Sequence, residues 1–290
     1  MQSPCYLPLE LVDRIIDHLH DSPSDLRNCA RVAKAFLPSS RLHLFYSISI
    51  DIYKILHRIV ALNSVVQQSP QIASCIRELC IRCDPGRGKS VPELPTLLTS
   101  LTALRHLTIE DVGWAWMPPE VRKAFRAVLA LPSLISIAMR STSFPSLRHF
   151  TNLLNSPLKQ LTVDWQFELD DPVDEEIISA IDEEDKIARR PDQQPCRLEY
   201  LNWYHDGPDV VDWLLGPQSV VDISNIRTLV VRSIHEERLM KSLGLSLEHL
   251  TIRYFGINMG TSLLYPFQIT YRNFVGTYRP PTGYYCSSWT

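Results

Sequence analysis

The chain lacks any run of about 18 consecutive apolar residues, the length a helix needs to cross a bilayer. Its longest candidate, residues 124–139, is interrupted by Arg126 and Pro132, so no membrane span is expected. A signal-peptide core is missing as well, because Glu10, Asp13, Arg14 and Asp17 stand among the apolar positions of the first twenty residues. A basic excess is absent: the net charge of −3 offers no clustered cationic face for DNA or RNA. Cysteine is sparse, seven in 290 residues, an odd number without the density of a secreted disulfide scaffold. A reducing cytoplasmic or nuclear setting is therefore expected.

Catalytic signatures are missing too. There is no nucleophile elbow, no His-Glu-x-x-His and no EF-hand loop, and the histidines are scattered singly. Two motifs come close. Cys75, Cys80 and Cys83 have the C-x4-C-x2-C spacing of iron–sulfur ligands, but no suitably placed fourth cysteine follows, and buried or edge thiols are the better account. Gly86-Arg87-Gly88-Lys89-Ser90 ends like a phosphate-binding loop, but Cys83 stands where the Walker pattern requires glycine. Pro92 and Pro95 oppose the helix that should start at the lysine. The sequence predicts a non-enzyme with no catalytic residue, no metal site and no cofactor.

What the chain does hold is a recurring strand pattern, Leu/Ile-x-x-Leu/Ile-x-apolar. Its copies start at Ile76, Leu104, Leu134, Leu158, Leu198, Ile226 and Leu247, with spacings of 28, 30, 24, 40, 28 and 21 residues. Between them lie helical patterns: residues 53–68 carry Ile55, Leu56, Ile59, Leu62 and Val66, and residues 119–130 carry Val121, Phe125, Val128 and Leu129. Residues 145–155 carry Leu147, Phe150, Leu153 and Leu154, and residues 210–215 stop at Gly216-Pro217. Strand and helix in alternation build a parallel sheet with helices on one face. The period resembles that of leucine-rich repeats, although the asparagine that marks many of them is missing. Such units cannot bury their apolar faces alone, so they stack and present a long concave surface. The predicted class is thus α/β, an irregular leucine-rich-repeat-like solenoid over residues 47–255.

Side chains alternate along a strand. With the pattern's leucines inward, the outward set ends in a column of Arg82, Glu110, Arg140, Asp164, Tyr204, Arg232 and Arg253. One reading of this column is a ladder of opposite charges that stabilises the sheet. The other is a target-binding surface, for which Arg140, Tyr200, Tyr204, Arg232 and Arg253 are the candidates, being residue types favoured at binding hot spots. The 40-residue spacing contains an acidic insertion, residues 168–195, with ten acidic residues between Glu168 and Asp185. This composition predicts a solvated, mobile loop. After Ile252 the rhythm fails, and residues 256–290 are expected to be a cap or an extension.

Residues 1–46 form a separate helical module. Pro8 and Glu10 suit a first helical turn, after which Leu11, Ile15 and Leu19, flanked by Val12 and Ile16, give a wide apolar face. Ser22-Pro23-Ser24-Asp25 reads as the start of a second helix, striped by Leu26, Cys29, Ala30 and Ala33, widened by Val32 and Phe36, and ended by Pro38. A third short helix, residues 39–45, leads into an alternating strand. A core this small needs a partner, and one such partner is the solenoid itself, which the module would cap.

The motif Leu7-Pro8-Leu9-Glu10-Leu11-Val12, with Ile15, Ile16 and Leu19, followed by Leu26, Cys29, Ala30, Val32, Ala33, Lys34 and Phe36, resembles an F-box. It departs from that family at Phe36, where tryptophan is more usual. The resemblance implies docking to a Skp-family adaptor and, through it, to a cullin-based ubiquitin ligase. It also implies that Leu7, Pro8, Leu11, Ile15, Leu26, Cys29, Val32 and Phe36 supply or support the adaptor-binding surface. An F-box joined to leucine-rich repeats further implies a substrate receptor whose concave face holds an unknown target protein.

Overall fold

A computed structural model describes residues 7–52, 54, 56–83, 91–154, 157–166, 174–188, 195–204, 208–216, 219–231, 239, 242–243, 246–257 and 264–272. The Gly86–Ser90 loop and Arg232 lie outside them. Three helices come first: α1 (Leu9–Asp17), α2 (Pro23–Val32) and α3 (Leu37–Tyr46). Pro38 occupies the first turn of α3 and does not terminate α2, correcting the sequence expectation. Its missing N–H costs nothing where the helix has no partner to offer. A short 3-10 turn, Lys34–Phe36, separates the two helices after Ala33 turns extended.

The strand patterns then follow in order. They are β1 (Ser47–Asp51), α4 (Leu56–Gln68), α5 (Pro70–Ala73), β2 (Glu78–Arg82), α6 (Glu93–Ser100), β3 (His106–Glu110), α7 (Pro119–Leu129), β4 (Ser136–Ser143), α8 (Leu147–Thr151) and β5 (Gln160–Gln166). The chain continues through α9 (Glu175–Ala188), β6 (Cys196–Arg197), β7 (Tyr200–Trp203), α10 (Pro208–Leu215), β8 (Val221–Asp222), β9 (Thr228–Val231), β10 (His249–Ile257) and β11 (Leu264–Arg272). The fold is mixed α/β. Eight parallel strands lie side by side in chain order, β1-β2-β3-β4-β5-β7-β9-β10, and β11 closes the far edge antiparallel to β10. β6 and β8 pair separately.

The register explains why the pattern recurs. Leu79, Leu107, Ile137, Leu161, Leu201, Leu229 and Leu250 stand in one row across the sheet, and Ile81, Ile109, Met139, Val163, Trp203, Val231 and Ile252 in the next. None of the fourteen is more than 7% exposed, and each such burial is worth roughly 2 kcal/mol. The turns into the strands repeat as well. The carbonyl of Arg77 accepts from the N–H groups of Arg105 and His106, that of Arg105 from Ile135 and Ser136, and that of Ile135 from Lys159 and Gln160, at 2.8–3.0 Å. Lys159, Glu199 and Arg227 repeat the arrangement down the sheet.

On the helical side, rings that are buried or, at Trp213, half-buried form a chain linking the units of β3, β4 and β7: Phe125, Trp114, Phe144, Phe150, Trp213 and Trp203, with centroids 5.6–6.4 Å apart. The acidic insertion departs from expectation here. Its middle part is the helix α9, docked on α7 and α8, and not a solvated loop over its whole length. Ile181 is fully buried, and Arg122, only 3% exposed, makes a two-pronged bond to Glu184 at 2.6 and 3.1 Å. Arg126 bonds both Glu184 and Asp185, and Asn152 donates to Asp185 at 3.0 Å. Charge that reads as solvated in one dimension is neutralised by cations contributed from two units earlier.

Candidate functional site

The described residues leave eleven large hydrophobics exposed, and seven of them fall in the first 46 positions: Leu7, Leu9, Leu11, Ile15, Val32, Leu42 and Tyr46. Helical geometry makes the division. Val12 and Ile16, one turn apart, are buried at 2% and 0% exposure, while Leu11 and Ile15, rotated by one residue, are 46% and 45% exposed. Leu7 and Pro8 extend the exposed stripe in front of α1. Val32, at the end of α2, is 76% exposed. Of the remaining candidates, Leu26 is buried and Cys29 and Phe36 are half-buried, so these three support the module from within. Ser39 on α3 donates to Asp13, and His43 Nε2 lies 2.8 Å from Asp17, tying α3 to α1. Ser22 Oγ donates to the Asp25 carboxylate at 2.6 Å, which takes the place of a side-chain bond to the helix backbone.

A second surface lies on the sheet face opposite the helices. The outward column pairs as its spacing implies, Asp51 beside Arg82, Arg82 beside Glu110, Glu110 beside Arg140 and Arg140 beside Asp164. Glu110 is buried to 8% exposure and accepts from Arg82 Nε at 3.0 Å and from Arg140 Nη1 at 3.1 Å. Arg140 therefore belongs to a charge ladder while keeping an exposed guanidinium. Asp111, just after β3, and Ser141, within β4, have φ of 56° and 48°, and it is at Ser141 that the ladder between β4 and β5 shifts register. At the other end, the Arg253 guanidinium stacks 5.3 Å from the Tyr204 ring centroid. Tyr200, Tyr204 and Arg253 are each half-buried. Not all expected outward residues are accessible: besides Glu110, Asn202, Val230 and Thr251 are at most 8% exposed.

The cysteine motif is not assembled. Cys75 Sγ bonds the Gln71 carbonyl at 3.4 Å, and Cys83 packs against the core, where burial pushes its thiol up to about 12. Cys80 is raised by burial and by the neighbouring Glu110. Among the described residues, no three His, Cys, Asp or Glu side chains are placed to hold a metal ion. No helix among them is long and apolar enough to cross a membrane.

Sequence reasoning missed the docking of α9. The signal was present: Arg122 and Arg126 sit one turn apart on α7, and Glu184-Asp185 are adjacent, but nothing in one dimension pairs them. Comparison with protein-family models, curated proteins and solved structures gives no match.

Proposed function

We propose that the chain is an F-box-like substrate receptor of a cullin-based ubiquitin ligase. The observation that carries the proposal is the apolar stripe of Leu7, Leu11 and Ile15, left exposed on a helix whose other apolar stripe already forms the module's core. An exposed apolar helix face of this kind fits the groove of a partner, and the F-box resemblance of the same residues names a Skp-family adaptor as that partner. The parallel strands, stacked in chain order as a leucine-rich-repeat-like solenoid, then present a target protein on their polar face. The chain performs no bond chemistry and contributes proximity, raising the effective concentration of target lysines at an enzyme supplied by the assembly. Such assemblies operate in the cytoplasm and nucleus.

The test is co-expression with a Skp-family adaptor followed by size-exclusion chromatography. Stoichiometric co-elution that Leu11→Asp and Ile15→Asp abolish is the expected result. Separate elution of two folded proteins would sink the proposal.

A second reading has its own observation. The helix α3 runs into β1 without a linker, and the Tyr46 carbonyl accepts from Arg77 N–H at 2.9 Å, so the module is joined directly to the first strand pair of the sheet, as a cap on a stand-alone interaction scaffold is. Deletion of residues 1–46 separates the two: a docking module leaves a soluble, folded remainder, and a cap leaves an aggregating one.

A further inference from the structure

The strand order begins with β1, which has β2 on one side and none of the described strands on the other. Its pairing is regular, Ser47–Asp51 running parallel to Glu78–Arg82 without a shift. The Tyr46 carbonyl accepts from Arg77 N–H and the Ile52 N–H donates to the Arg82 carbonyl, so the even-numbered positions turn their backbone toward β2. Successive residues of a strand in a ladder point theirs to opposite sides. The N–H and carbonyl groups of Ser47, Ser49 and Asp51 therefore point off the edge, and the side chains of Ser47 and Ser49 are exposed. β1 holds no proline, lysine or bulge, the devices that blunt a sheet edge against pairing with another chain.

Apolar surface collects on the elements beside this edge. The helix α3 leads into β1, α4 follows it, and both pack on it. Five of the eleven large hydrophobics exposed among the described residues lie on these two helices. Leu42 and Tyr46 stand one turn apart on α3, and Leu56 and Val60 one turn apart on α4, with Val65 beyond them. The helix α4 already gives Ile59 and Val66 to the core and packs against α6 of the next unit. Leu56, Val60 and Val65 are what the chain itself leaves uncovered, where the end unit of a stand-alone solenoid presents a polar face. This surface is separate from the adaptor stripe. Asp13 and Asp17 are the α1 residues bonded to α3, and Leu11 and Ile15 lie at least about 120° around the helix from both.

We infer that β1 pairs antiparallel with β1 of a second copy, about a two-fold axis at Ser49. An edge of main-chain donors and acceptors is completed by another strand, and β1 complements itself. With the axis at Ser49 all five residues find partners: Ser47 stands opposite Asp51 of the second copy, and Ile48 opposite Ile50. No like charges face each other, and Asp51 has Lys54 beside it at 3.7 Å. The isoleucines, on the core side of the sheet, form a β-branched cross-strand pair. A two-stranded pair of this length is marginal by itself in water, and the exposed residues of α3 and α4 supply the apolar area that holds it. Such a contact uses one patch twice and closes at two copies. The inference does not rest on adaptor docking, and both contacts fit on one chain.

Sedimentation velocity of the full chain over a range of concentrations tests it. A reversible monomer–dimer equilibrium is expected. Ser49→Pro removes an N–H that points off the edge, a position where a strand accepts proline. Ser49→Lys keeps that N–H and sets two lysines face to face at the axis. Each should weaken dimerisation about tenfold or more, and Ser49→Lys should melt as the wild type does at concentrations where both are monomeric. A chain that stays monomeric throughout would overturn the inference, as would a dimer indifferent to both substitutions. A dimer lost on Leu11→Asp and kept on Ser49→Lys would place the contact on α1 and overturn it as well.

Discussion

Glu184 accepts from two arginines, and the balance of forces on it is readable. Burial alone raises its carboxyl, but the hydrogen bonds and charges of Arg122 and Arg126 outweigh that effect and hold it below the ordinary value of 4.5. A carboxyl with a depressed folded-state value stabilises the fold above its unfolded value and loses that contribution as pH falls through the folded one. Melting temperature should therefore hold from neutral pH down to about 4.5 and fall below it, and Glu184→Gln should flatten that acid limb. Arg122→Met removes the most buried cation among the described residues and leaves Glu184 to Arg126 alone, for a cost of up to roughly 3 kcal/mol in a denaturant titration. The thiols behave in the opposite sense. Burial pushes Cys83 and Cys196 up to about 12, so at pH 8 both should resist a thiol reagent until denaturant is added.

Among the elements, α1 shows most directly how far sequence can be read. The positions of Leu11, Val12, Ile15 and Ile16 announce an apolar helix, and the structure divides them into an inner pair and an outer pair that periodicity merges into one face. Leu11→Asp should change stability by less than about 0.5 kcal/mol, whereas Ile16→Asp should unfold the module, and far-UV circular dichroism separates these outcomes. The seven strands that carry the pattern were legible down to their pairing partners, because a fixed Leu-x-x-Leu-x-apolar pattern leaves one register that keeps every leucine on the buried side, whereas β6, β8 and β11 carry no copy and were not. The helix α9 was not, because its docking depends on cations about sixty residues earlier in the chain. Asn202 and Arg253 were placed on the correct face, but alternation says nothing of whether a polar atom there finds a partner. The α8 unit shows a further limit. Its pattern over residues 145–155 yields only Leu147–Thr151 as helix, although Phe150, Leu153 and Leu154 are all buried as the pattern implies.

At the scale of the whole molecule, stability passes from unit to unit. Each strand meets its sequence neighbours and the aromatic chain spans the middle units, so damage at one unit is felt by those beside it. Phe150 packs on the ring of Phe144 in its own unit and on that of Trp213 two units further on, and Phe150→Ala should cost about 3–5 kcal/mol. Hydrogen exchange should rise in β4, β5 and β7 together and least in α1 and α2. The reversal at β11 has a different consequence, one of assembly. A sheet grown by adding parallel strands has no intrinsic stopping point, and two such edges invite copies to join head to tail into an open filament. Here the last edge runs against the direction of the first, and its nine paired positions, Leu264–Arg272 on His249–Ile257, outnumber those of the five-residue strand at the other end. A second copy placed head to tail at that edge would have to pair antiparallel to β11, so the parallel array ends within one chain and is not continued into the next.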